Sequence, residues 1–182
     1  MTGHNTTAAA HAGGYPFLRT VAAISTLAGW VSAAMIVLAV GITCQMIFVR
    51  FVLNASTIWQ SEMVIYLMIA ATLVGLPYVQ HLRGHVSVDL VPILLPRTAR
   101  KVLAICTLCT SIAIVAVMLW YGFDNWHVAW ARGWKSDTVW GVRLWIPYLA
   151  MPVGFGLFLL QLVADLVAVI LKIDSPFGLE DV

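Results

Sequence analysis

The chain has 182 residues, of which 62% are hydrophobic and 10% charged, with a formal net charge of +2; an ordinary soluble domain carries roughly a quarter of its residues as Asp, Glu, Lys and Arg. A soluble core of this size has no room for so much apolar surface, so much of it must face lipid or partner helices, and the sequence describes a one-domain, all-α integral membrane protein. The scattered Lys and Arg residues form no phosphate-binding run, which excludes nucleic-acid partners.

Residues 1–16 are small and polar and lack the basic patch and short apolar core of a secretory signal, so a flexible N-terminal segment is expected there. A four-helix membrane domain should occupy 17–173, with 174–182 as a C-terminal tail. Its apolar stretches predict helices at about 21–49, 59–79, 101–121 and 146–173, each long enough for the roughly 20 residues that span a bilayer. The first and last exceed that length, which predicts a tilted bundle.

Four crossings put both ends on one side. Arg19, Arg83, Arg97, Arg100, Lys101 and Lys172 fall on that side, and Arg50, Arg132, Lys135 and Arg143 on the other. The bias places both termini in the cytoplasm.

At the start of the second helix, Thr57 and Gln60 have the spacing of a capping box, and Glu62 lies in the first turn, where the helix dipole favours a carboxylate. Glu62 has two readings: a local pair with Arg50, or a contact with another subunit. Beyond that helix, which Gly84 should end, lies the most polar joint, His81-Leu82-Arg83-Gly84-His85-Val86-Ser87-Val88-Asp89. A shared metal on His81 and His85 lacks a third convincing ligand, so His85 and Asp89 are expected to pin the loop, with Arg83 facing lipid phosphates or a partner.

In the third helix, Cys106 and Cys109 lie mid-span, away from water, and read as small packing residues. Six of the eight tryptophans fall between Trp120 and Trp145. Trp126, Trp130 and Trp134 recur every four residues, which predicts an interfacial extension of this helix to about residue 134. An aromatic belt explains them, and so does a docking surface outside the membrane. The fourth helix opens with Trp145-Ile146-Pro147; Pro147 suits a first turn, Pro152 should kink the helix by freeing the carbonyl of Tyr148, and Ala150 with Gly154 should admit a close neighbour. Gln161 and Asp165, one turn apart, read as polar glue between helices, with Arg100 or Arg19 as partners for Asp165.

Taken in order, Trp59 with Glu62, the Gly84-His85-Val86-Ser87-Val88-Asp89 joint, Pro96 with Arg97 and Arg100, and Trp145-Ile146-Pro147 with Pro152-Val153-Gly154 resemble the DctQ-like small membrane subunit of tripartite ATP-independent periplasmic (TRAP) transporters. The likeness runs from about Arg19 to Lys172. One departure stands out: the family often shows two adjacent carboxylates after the tryptophan, and here Ser61 takes the place of the first.

The resemblance implies a multi-pass protein of the bacterial inner membrane that braces a large membrane subunit during sodium-coupled, binding-protein-dependent uptake of a solute, an organic acid by family habit. The implied partners are that large subunit, a periplasmic substrate-binding protein docking on the outer face, and membrane lipids. Sodium and substrate sites belong to the large subunit, so no catalytic, cofactor, metal or substrate residue is assigned here. The residues expected at partner or structural contacts are Arg50, Trp59, Glu62, Arg83, His85, Asp89, Arg100, Trp145, Pro147, Pro152, Gly154 and Asp165.

Two other classes compete. A four-helix redox subunit would use the cysteine pair for thiol–quinone exchange or the histidines for haem, but thiol exchange needs exposed loops and a transmembrane haem needs histidines on facing helices. A self-assembling small secondary transporter would use Glu62, which lies too near a helix end for a midplane ion site.

Overall fold

Residues 16–82 and 96–171 are described by the structure, a computed structural model. Five helices account for nearly all of them: α1 Pro16–Val52, α2 Ile58–His81, α3 Arg97–Ala131, α4 Trp145–Tyr148 and α5 Ala150–Ile170. Helices α4 and α5 form one span over Trp145–Ile170, so four segments are long and apolar enough to cross a membrane. The expected all-α architecture is present. The first and third helices run well past their apolar stretches, because nothing breaks the hydrogen-bond ladder before the turns that end them.

Each turn has a local cause. After α1, Asn54 adopts a left-handed conformation (φ 48°), and the Ala55 N–H returns to the Val49 carbonyl at 3.3 Å. After α3, Gly133 has φ 61°; its N–H bonds to the Trp130 carbonyl (3.2 Å) and the Trp134 N–H to the Ala129 carbonyl (3.1 Å). This pair of bonds is the Schellman stop signal. It ends α3 at Ala131, three residues short of the expected extension, so Trp134 leaves the helical line that Trp126 and Trp130 keep.

The fourth span is interrupted at Leu149, one turn ahead of Pro152. Proline has no N–H for the Tyr148 carbonyl, and the chain responds by tightening: the Leu149 N–H is shared between Trp145 (3.1 Å) and Ile146 (3.3 Å). A second proline, Pro77, lies buried within α2. It leaves the Leu73 carbonyl without its usual helical donor.

The helices form an open row more than a closed bundle. α1 packs chiefly on α2, α2 on α5, and α3 on α4 and α5, so α1 and α3 occupy the two edges. Six of the nine fully buried apolar residues among the described ones are alanines: Ala28, Ala39, Ala71, Ala104, Ala129 and Ala164. Bulk therefore points outward and smallness inward. On α1 the buried stripe is Val21, Ser25, Ala28, Ser32 and Ala39, while Leu27, Trp30 and Val37 project away from the chain. Apolar surface has little reason to leave lipid, so close backbone approach and interhelical hydrogen bonds must hold such helices together.

Gly154 shows the close approach most directly. A Cβ added there would meet Leu73 Cβ at 2.7 Å and the Leu73 carbonyl carbon and oxygen at 2.8 Å, so α5 rests on the backbone of α2 at the carbonyl that Pro77 freed. Gly29 similarly seats the ring of Tyr78, joining α1 to α2. Ser32 adds a hydrogen bond from its hydroxyl to the Ala71 carbonyl at 2.7 Å.

Candidate functional site

Two polar assemblies stand out, near opposite ends of the helices. Toward the end of the fold that holds the start of α1, the Ser25 hydroxyl donates to Gln161 Oε1 at 2.7 Å. The Gln161 amide donates to Asp165 Oδ1 at 2.8 Å, and the Gln80 amide to Asp165 Oδ2 at 2.8 Å. One carboxylate thus ties α1, α2 and α5 together. Gln161 and Asp165 act as the expected glue, with Ser25 and Gln80 among their partners. Arg19 is exposed and makes no bond to Asp165.

At the other end, residues 132–144 fold back as a short hairpin. Lys135 and Arg143 face one another as an antiparallel pair; the Ser136 N–H bonds to the Val142 carbonyl (2.8 Å) and the Leu144 N–H to the Trp134 carbonyl (2.9 Å). Gly141, with φ 60°, closes the tip by donating to the Thr138 carbonyl at 3.0 Å. The hairpin covers the start of α2. The Ser136 hydroxyl donates to Glu62 Oε1, and Trp140 packs on Trp59 with ring centroids 6.4 Å apart. Glu62 Oε2 is buried and accepts no bond among the described residues, and Gln60 Oε1 is likewise unbonded there.

This arrangement corrects two expectations. Glu62 pairs with Ser136 and not with Arg50, which is exposed in the last turn of α1; the hairpin supplies a donor that the sequence places 74 positions away. The capping box does not form either. Thr57 has φ −122° and ψ 31°, outside the extended conformation that aims a capping hydroxyl at the first N–H groups, and Gln60 turns into the interior at 2% exposure. Ser61, standing where the family often has an acid, donates to the Thr57 carbonyl at 3.2 Å and to Met46 Sδ at 3.4 Å.

An aromatic ladder climbs the neighbouring faces. Phe123, Trp126 and Trp130 follow one another on α3, with centroid separations of 5.6 and 5.9 Å, and Trp130 meets Trp145 edge to face at 4.6 Å. Trp145 and Pro147 therefore open the fourth span against the end of α3. Arg100 lies half-buried in the first turn of α3. Arg83, His85 and Asp89, with Gly84, lie outside the described residues; α2 itself is capped at Leu82. Cys106 and Cys109 are exposed on the surface of α3, so they fill no internal gap. Among the described residues no three of His, Cys, Asp and Glu are grouped to hold a metal ion.

The four spans and the covered Trp59–Glu62 turn now meet a direct comparison. Residues 39–172 match the family model for the DctQ component of tripartite ATP-independent periplasmic transporters. The chain belongs to the DctQ family. A comparison with curated proteins gives no match. The matched region of this DctQ component begins midway along α1 and takes in both turns, the hairpin and the whole fourth span. It is therefore a small, multi-pass membrane subunit of a transporter.

Sequence reasoning missed Ser136, Trp140, Gln80 and Ser25. A signal existed for the first two: Gly133 and Gly141, the two glycines between the third and fourth spans, mark the stop of α3 and the tip of the hairpin.

Proposed function

We propose that this DctQ component is a stationary brace for the large TRAP membrane subunit during sodium-coupled uptake of an organic acid delivered by a periplasmic binding protein. The observation that carries the reading is how the polar interior is used. Asp165 is fixed by two amides from two helices, so the acid within the row is committed to holding helices together, as a scaffold requires and a moving ion site does not. The edges of the row support the same reading, since α1 and α3 present Leu27, Trp30, Val37, Val117, Met118 and Trp120 outward for lipid or a larger neighbour.

The charge bias puts both termini in the cytoplasm of a bacterial inner membrane and the hairpin on the outer face. There the binding protein would arrive, and Trp59 and Glu62 would meet the large subunit. The open carboxylate oxygen of Glu62 supports that contact, because a buried acceptor gains most from a charged donor.

Copurification and vesicle transport test the proposal together. The chain should elute with the large subunit, and vesicles holding both should take up solute only when binding protein and a sodium gradient are supplied. The chain alone should transport nothing. Uptake by this chain alone, or full uptake by the large subunit without it, would overturn the brace reading.

A further inference from the structure

The hairpin has two faces. Ser136 points to Glu62, and by strand alternation its neighbour Lys135 points the opposite way, together with Arg143 across the ribbon. These two line an open cleft of about 410 Å³ with Gly133 and the edge-to-face pair Trp130 and Trp145. The bonds flanking the pair, Ser136 to Val142 and Leu144 to Trp134, make Lys135 and Arg143 a non-hydrogen-bonded pair, the closer kind. Their Cβ atoms are then about 4.5–5.5 Å apart, where two like charges repel. Among the described residues no acid lines the cleft to offset them.

We propose that this cleft binds the phosphodiester of an anionic phospholipid head group, phosphatidylglycerol in the first instance. An anion between the two side chains turns their repulsion into a two-point clamp. Arg supplies a planar fork for two phosphate oxygens, and Lys a mobile point charge. The depth is right for a lipid, because the cleft lies where α3 ends and the fourth span begins, at the boundary that indole rings favour. Its volume suits a head group, not a protein surface. Ile146, next in the chain to the cleft-lining Trp145, is exposed and apolar, as acyl chains beside the head group require. Lipid head groups lie at both membrane faces, so either orientation admits the clamp, and it does not depend on the brace reading.

Native mass spectrometry of the full chain, delipidated in mild detergent and given equal phosphatidylglycerol and phosphatidylcholine, tests it. The wild type should retain one phosphatidylglycerol in about tenfold preference over phosphatidylcholine. Lys135→Gln with Arg143→Gln should bring the ratio to within about twofold of unity, each single change should give an intermediate loss, and Arg132→Gln, outside the cleft, should leave the ratio unchanged. Unaltered preference in the double variant would overturn the proposal. So would complete displacement of the lipid by millimolar inorganic phosphate, which makes the ligand a free anion, or loss of binding-protein docking with lipid retention intact, which makes it a protein carboxylate. If the double variant elutes as an aggregate, the two single variants decide the outcome alone.

Discussion

Replacing Gly154 with Ala adds one methyl group where α5 touches the backbone of α2. That methyl would lie 2.7 Å from Leu73 Cβ and 2.8 Å from the Leu73 carbonyl carbon and oxygen. Ordinary contact begins at 3.4 Å, so the helices must separate by about 0.6–0.7 Å, the difference between 3.4 Å and those distances. Two of the three obstructing atoms are backbone, and no rotamer change removes them. Overpacking of this kind costs about 1–3 kcal/mol. The same displacement would stretch the 2.8 Å bond from Gln80 to Asp165, which crosses the same helix pair. For a chain of this length the loss corresponds to a fall in Tm of about 2–12 °C. Gly156→Ala is the control, since its new methyl would come no nearer than 4.0 Å to Leu119 Cδ1. The assay is size-exclusion recovery after a temperature ramp in mild detergent. Equal Tm values for the two variants would refute the close-contact argument.

Three further outcomes follow from the two polar assemblies. Ser136→Ala removes the donor to a partly buried carboxylate and should destabilise the chain by about 1–3 kcal/mol, read as a lower Tm and as faster proteolysis within 132–144. Asp165→Ala strands the amides of Gln80 and Gln161 and should cost about the same, whereas Asp165→Asn, which keeps one acceptor, should cost less; equal losses would argue against a shared carboxylate. Trp59→Ala or Glu62→Ala should reduce copurification with the large subunit several-fold while leaving the sodium dependence of residual uptake unchanged. A changed sodium stoichiometry with normal copurification would count against a purely bracing contact.

Hydropathy alone located the four spans, because lipid demands an uninterrupted apolar length and little else imitates it. Pro152 was legible for the same kind of reason: a missing N–H has the same effect wherever the helix packs. Gly154 was legible as a small residue, but its partner was not, since Leu73 carries no mark of the carbonyl that Pro77 exposes. The misplaced expectations share one cause. Arg50 and Glu62 are close in sequence and opposite in charge, and Thr57 and Gln60 have capping spacing, yet a hairpin from residues 132–144 supplied the carboxylate's bond and Gln60 turned into the interior. Local complementarity loses to a long-range neighbour when that neighbour excludes water. Trp134 shows the reverse, a periodic signal cut off by one local residue, Gly133.

The row-like helix order also bears on how the chain is made. α1 and α2 find each other as soon as both have left the ribosome, through Gly29, Tyr78 and the Ser32 bond. α3 emerges next and has no such companion, for its packing is against α4 and α5, which are synthesised last. During that interval α3 must wait in the bilayer as a lone helix, with Thr107 bonded only to its own turn and the aromatic ladder anchoring its end. The fourth span then completes both sides of the row, bringing Gly154 to Leu73, Asp165 to Gln80 and Trp145 to Trp130.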